Sequence, residues 1–267
     1  MISKREALII LSSCLFFRTF PLFSSLKQRQ PRRQANTMKP EKQSPQHKLE
    51  CLNYALSHPD IALKQLASDF GIGYSTLLKW AAKARSAAYC AEEGLSCMSV
   101  FDYMQAAEHY KTAADLYPLK VIASNSAYFD YLRNNAYAQY CAGDAQDDKS
   151  LLSSAIELLS MLAAQLHHAQ HTEAWTYTQN DLGNAFVSLG KLKNDPMLLQ
   201  RAIAAFRSVL KGIHREESPE NWAQVQQNLG KALSMLASRR NDPLLMKAAI
   251  EAYREASDAG LLQHDED

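Results

Sequence analysis

Few residues in this chain could do chemistry. LHHAQH, residues 166–171, sets His167 and His171 four apart with His168 beside them, and on a helix two such imidazoles share a face, half of a metal site. No third ligand accompanies them. His214 repeats the His167 position 47 residues on, and imidazoles near a helix C-terminus also suit the helix dipole. There is no Gly-rich phosphate loop and no GxSxG nucleophile motif. An acidic catalytic triad would need a strand-bearing scaffold, and nothing here reads as β. The expectation is a non-enzyme, without metal, cofactor or small-molecule substrate. What remains are residues that grip rather than react. In GYSTLLKWAAK, Lys79 and Lys83 stand with Tyr74, Ser75 and Leu78, and lysine ammonium groups suit phosphate. Further on, polar residues recur at fixed spacing as Arg133 and Tyr137, Asn180 and Asn184, and Gln227 and Lys231.

That spacing belongs to an internal repeat. WTYTQNDLGNAFVSLGKLKNDPMLLQRAIAAFR from Trp175 and WAQVQQNLGKALSMLASRRNDPLLMKAAIEAYR from Trp222 coincide at an offset of 47. Matched pairs include Gln179 and Gln226, Leu182 and Leu229, Gly183 and Gly230, both NDP triplets, and Ala202 and Ala249. One more step back reaches Tyr128, with Ala136, Ala138, Asp148, Leu151, Ala155 and Ile156 in register. Asp195 and Asp242 each precede a proline and an apolar-periodic run, which predicts an aspartate N-cap with proline at the first helical position. One helix therefore ends before NDP and the next starts at it. Gly183 and Gly230 fall inside the first helix, where glycine costs about 1 kcal/mol against alanine. That is tolerated where two backbones approach closely, expected here against the Ala202 and Ala249 face of the second helix. Each unit is a helix pair unable to bury its apolar face alone, so units must stack.

This pattern resembles the tetratricopeptide repeat family. Residues 87–120 fit its 34-residue form, with Gly94 in the first helix, Ala106, Tyr110 and Ala113 in the second, and Pro118 closing the unit. Cys90 and Cys97 stand where the family has tryptophan and tyrosine, and the 47-residue units are longer than the family's form. The resemblance covers 87–258, with units 87–120, 128–174, 175–221 and 222–258. It implies a right-handed α-solenoid with a protein or peptide partner on its concave face, gripped by Arg133, Tyr137, Asn180, Asn184, Gln227 and Lys231. Amide side chains supply both a donor and an acceptor for an extended peptide; the alternative is a solvated helix face. Trp175 and Trp222 read as packing residues between repeats.

Upstream, LASDFGIGYSTLLKW reads as helix, turn, helix. HKLECLNYALSH forms a first helix ending before Pro59, and Asp60 is placed to cap a second holding Leu63, Leu66, Ala67 and Phe70. Gly71 supplies a left-handed turn position, Ile72 plugs the core, and a third helix from near Tyr74 buries Leu77, Trp80 and Ala81. GIGYSTLLKWAAKAR resembles the helix-turn-helix of the small first-frame proteins of insertion-sequence transposases, over residues 42–86. Gly73 replaces the serine usual at the cap of the recognition helix, a loss of a few tenths of a kcal/mol. The resemblance implies duplex DNA contact through Tyr74, Ser75, Leu78, Lys79 and Lys83, with Ala82 on the same face. No Arg, Asn or Gln there offers bidentate base reading, so phosphate contact is better supported than sequence reading. With no proline, glycine or loop cluster between Tyr74 and Gly94, the third helix is expected to run straight into the first repeat.

Charge sharpens this division. Residues 1–37 carry 7 basic and 1 acidic side chains, 38–86 carry 7 and 4, and 87–267 carry 15 and 23, giving +6, +3 and −8 within a net +1. An anionic partner is thus met at the N-terminal end. Five dispersed cysteines without CxxC read as reduced thiols of a cytoplasmic protein. The apolar run Ala7–Phe17 is too short to span a bilayer and lacks a clean signal cleavage site. A misassigned start, a basic tail or anchor, and an export signal all fit it, and the reading adopted is a protein beginning at Met38. The sequence therefore predicts an all-α protein: an N-terminal extension (1–37), a helix-turn-helix domain (38–86), repeats (87–258) and an acidic tail (259–267). Its expected role is to bind DNA and recruit a protein, with a homodimer among its arrangements, since one module reads few base pairs. The alternative is a repeat scaffold whose N-terminal helices only pack or dimerise.

Overall fold

The computed structural model describes residues 44–122, 126–166 and 173–261. Expectations placed on 1–37, on His167, His168 and His171, and on the end of the acidic tail lie outside the described residues. Among the described residues the chain is all-α, with ten helices and no strand. They are α1 Pro45–Ser57, α2 Leu63–Asp69, α3 Tyr74–Ser99, α4 Tyr103–Leu116, α5 Ala127–Ala145, α6 Lys149–Gln165, α7 Glu173–Lys193, α8 Pro196–Leu210, α9 Pro219–Arg240 and α10 Pro243–Leu261. From α3 onwards each helix packs chiefly on its sequence neighbours, and α5 also touches α7, as α7 touches α9. The tail expected from residue 259 begins inside α10.

One turn, used four times, makes the pairs α3–α4, α5–α6, α7–α8 and α9–α10. A left-handed residue ends the first helix: Phe101, Asp147, Asn194 and Asn241, with φ of 64°, 54°, 52° and 49°. The aspartate after it sends its backbone N–H to the carbonyl five residues back, Cys97, Gly143, Gly190 and Ala237, at 2.9, 2.8, 3.0 and 3.1 Å. Orphan carbonyls at the helix end are satisfied this way. The same aspartate then caps the second helix. The Asp102 carboxylate accepts from the Gln105 N–H, Asp148 from Ser150 and Leu151, Asp195 from Met197, and Asp242 from Leu244 and Leu245. Two consecutive residues thus stop one helix and start the next, and Asp148 does so without the proline that follows Asp195 and Asp242.

Three of the helical glycines meet aromatic rings, which in the two later units stand one turn on from Ala202 and Ala249 on the face expected from the sequence. Gly94 lies under Tyr110, Gly183 under Phe206 and Gly230 under Tyr253. Ala202 and Ala249 are buried, but the side chain one turn further on covers the glycine, because a flat ring fills the space a missing Cβ leaves. In the unit where Ala136 replaces the glycine, Leu159 replaces the ring, and both are fully buried. A continuous apolar core runs through α5 to α10, and a second joins Leu49 and Leu52 of α1 to α3, α4 and α5. Trp175 is buried with Phe129, Leu162 and Leu166 of the preceding pair.

At the N-terminal end Ser44 caps α1 by accepting from the His47 N–H. The second helix starts two residues later than Asp60 would allow. Asp60 lies in the turn that Ile61 closes onto His58, and Ala62 precedes α2 with no side-chain cap. Gly71, at φ 64°, is left-handed, and the N–H of Ile72 bonds the Ala67 carbonyl at 2.8 Å. This is the turn of the four later pairs, with a buried isoleucine where they carry aspartate. Leu66, Ala67, Ile72 and Leu77 close a small core with Cys51 and Ala55 of α1. Gly73 precedes α3 without a side-chain cap, and α3 then runs unbroken for 26 residues, from the turn to Gly94 and beyond.

Candidate functional site

Two surfaces carry the residues singled out by sequence. The first is the outer face of α3. Leu77, Ala81 and Ala84 are buried on one side of this helix, while Tyr74, Ser75, Leu78, Lys79, Ala82 and Lys83 are all exposed. Helical spacing sets Ser75, Leu78, Lys79 and Ala82 on one strip, with Lys83 one turn beyond Lys79. The ammonium groups of Lys79 and Lys83 stand on the N-terminal half of a helix whose first turn holds no acidic residue. Both the hydroxyl groups and the start of α3 offer donors to an anion. Lys120 belongs to this neighbourhood although its sequence position gave no sign of it. Burial lowers its pKa, Asp115 raises it and nearby Lys83 lowers it further. Its ammonium group donates to the Ala114 and Asp115 carbonyls at the end of α4 and lies 4.8 Å from the centre of the Tyr128 ring.

The second surface is the repeated polar ladder, and the structure divides it. Arg133 of α5 donates to the Asp181 carboxylate of α7 at 3.0 Å. Asn180 of α7 is buried and accepts from the Asn228 amide of α9 at 3.2 Å. Both belong to seams between one long helix and the next. Gln227, the third residue in this register, is exposed, as is Lys231, while Tyr137 and Asn184 are half-buried. Tyr137 stands 5.9 Å from the Tyr140 ring. The four residues Tyr137, Asn184, Gln227 and Lys231 therefore remain partly or fully open to solvent.

Buried charge gathers at the first seam. Besides Asp181, Arg133 reaches the Asn134 amide oxygen at 3.3 Å and lies 5.5 Å from the centre of the Tyr177 ring. The Tyr177 hydroxyl donates to Glu173 at 2.9 Å. Burial pushes Asp181 up to about 6, and the Arg133 charge holds it below what burial alone would give. Asp130, one turn before Arg133, is likewise pushed up to about 6 by burial, with Arg133 opposing. Beside this network opens a cleft of about 230 Å³ whose walls include Thr176, Tyr177, Asn180, Ile213, Asn221 and Val225. Its lining mixes amide, hydroxyl and apolar groups with the Glu173 carboxylate, a set that suits a short peptide segment offering hydrogen-bond donors.

Among the described residues no cluster of three or more His, Cys, Asp or Glu could hold a metal ion, and no helix is long and apolar enough to cross a membrane. No family model, curated protein or solved structure matches the chain.

Proposed function

We propose that this chain is a non-enzymatic, cytoplasmic adaptor. In this reading α1–α3 form a helix-turn-helix that contacts duplex DNA, and α3–α10 form a right-handed, tetratricopeptide-like solenoid that recruits a protein or peptide. The observation that carries the DNA half is the two-sided character of α3: apolar residues closed into the core, and Tyr74, Ser75, Lys79 and Lys83 all turned outward. Its turn has the backbone such a motif requires, a left-handed glycine followed by a buried Ile72. The recruiting half rests on a repeated helix pair joined by one turn, with Tyr137, Asn184, Gln227 and Lys231 open along the long helices. Because α3 serves both halves, DNA contact and recruitment would be rigidly coupled, with no tether between them. The decisive experiment is a titration of labelled duplex with the full chain over a range of salt. A log–log decline in affinity with salt is expected; an absence of duplex binding even at low salt would remove the DNA half.

One observation favours the scaffold reading. Tyr74 and Leu78, 47% and 44% exposed, put apolar surface among the lysines, and no Arg, Asn or Gln there can read a base edge. If duplex binding fails, that face is a protein-packing surface.

A further inference from the structure

The last of the described helices leaves uncovered a stripe that the two preceding 47-residue units bury. In α6 the stripe is Leu152, Ile156 and Leu159, at 0%, 8% and 0% exposure; 47 residues on, in α8, it is Leu199, Ile203 and Phe206, at 0%, 6% and 0%. Both are closed by the long helix that follows, α7 and α9, within one continuous core. The same register in α10 is Met246, Ile250 and Tyr253, and these stand 36%, 62% and 42% open. Tyr253 already lies on Gly230 as Phe206 lies on Gly183, so its inner contact is made and its outer one is missing. Apolar residues at i, i+4 and i+7 form a packing face, not scattered surface residues.

The charges beside the stripe say what covers it. Along one flank α10 reads Lys247, Glu251, Arg254 and Asp258, alternating plus and minus. All four are exposed, and within the helix Arg254 reaches Glu251 and Asp258 only at 4.0 and 3.9 Å. Laid antiparallel on itself about a two-fold axis between residues 252 and 253, this line sets Lys247 opposite the second copy's Asp258 and Glu251 opposite its Arg254. Every pair is then of opposite sign. The same axis brings Ile250 and Tyr253 of both copies within one turn of the centre. A parallel two-fold pair would carry the two charged lines on opposite sides of the contact, where they would not meet.

We propose that α10 is the contact between two copies of this chain, packed antiparallel with the Met246–Ile250–Tyr253 stripe at its centre. The interface is isologous, as two-fold dimers require, and being a single helix pair it is of the small, reversible class. It stands independently of the DNA reading.

Sedimentation of the full chain from about 1 to about 100 µM tests this. A concentration-dependent dimer is expected, and Ile250→Asp, an exposed position, should leave a folded monomer. Glu251→Arg and Arg254→Glu should each weaken the dimer about tenfold, since each sets like charges together at two symmetric places. The double variant should recover most of that loss. A monomer throughout the range, a dimer indifferent to Ile250→Asp, or a double variant no better than either single change would each overturn the proposal. So would a monomer that loses thermal stability on Ile250→Asp, because the stripe would then be covered from within its own chain.

Discussion

A Cβ at position 183 would stand 2.5 Å from the Phe206 ring, closer than any real carbon approaches, so α7 and α8 sit at a distance that only glycine permits. Gly230 and Tyr253 repeat the relationship at 2.9 Å, with one difference. Phe206 is sealed beneath α9, while the outer side of Tyr253 faces solvent.

The two glycines should therefore respond unequally to one methyl group. Gly183→Ala must push a trapped ring, an overpacking penalty of about 1–3 kcal/mol against a helix-propensity gain of about 1. Gly230→Ala can turn the Tyr253 ring outward, so the two effects nearly cancel. Chemical denaturation should show a loss of about 1 kcal/mol for the first and within about 0.5 of zero for the second. Adding Phe206→Leu to Gly183→Ala copies the Ala136–Leu159 pair and should recover stability relative to Gly183→Ala. Equal losses at both glycines would mean that ring burial does not govern the response.

The Arg133–Asp181 pair predicts a pH dependence. An aspartate whose folded pKa is raised, here from 3.8 to about 6, binds its proton more tightly folded than unfolded. Its contribution to stability is therefore greatest below pH 4 and declines as pH rises through about 6. Asp130 acts in the same sense over the same window. Above that window both carboxylates are ionised and depend on Arg133. Arg133→Leu should then cost about 3 kcal/mol at pH 8, the scale for stranding a buried charge, and clearly less at pH 5, where the carboxylates are largely protonated. Urea unfolding at the two pH values reads this directly. A pH-independent loss would assign Arg133 to packing on Tyr177 rather than to charge.

The sequence disclosed most of the helices because their boundaries are written in local chemistry. The aspartates of the two NDP triplets cap where expected, and the 47-residue offset placed the pairs; Asp148, in the same register, caps as well without a proline after it. It did not disclose what the ladder residues touch. Aligned at 47, Arg133 matches Asn180 and Gln227, yet the bonds run from Arg133 to Asp181 and from Asn180 to Asn228, 48 apart. A side chain reaches the residue beside its counterpart, so a repeat alignment shows the register and hides the partner. Likewise Asp60 has the right type for a cap, but the turn from His58 to Ile61 delays the helix. On α3 the outward residues and Leu77 and Ala81 were readable, since burial there follows simple helical period, while Trp80, expected to be buried, is half-buried at the rim of two cores.

Phe101 is the exception among the four turn residues. Asp147, Asn194 and Asn241 are types that tolerate a left-handed backbone; phenylalanine at φ 64° does not. Its ring meets Tyr103 edge-on at 6.1 Å and is otherwise largely exposed. Phe101→Gly should relieve strain worth about 1 kcal/mol, less what glycine's unfolded freedom returns, for a net gain of about 0.5. A rise of about 1–2 °C in midpoint temperature is expected. A fall would show that the contact with Tyr103 outweighs the backbone.

The α3 face gives the sharpest test of function. Lys79 and Lys83 are exposed one turn apart on the side of the helix opposite its buried residues, so both can reach phosphates of one duplex backbone. Removing one cation from a phosphate lowers the slope of log K against log salt by about 0.9. Lys79→Ala with Lys83→Ala should flatten the slope by nearly two and weaken binding to all duplex sequences alike. Tyr74→Ala, at the first position of α3, should instead change preference among sequences and leave the slope nearly unaltered, because base edges come closest to the start of a recognition helix. Lys120→Ala distinguishes a phosphate contact from a helix-end cap. Its ammonium group is engaged by the Ala114 and Asp115 carbonyls, so the substitution should lower stability while the salt slope stays as it was. A slope indifferent to the lysine pair would take DNA off this face and leave Tyr74 and Leu78 as the centre of a protein contact.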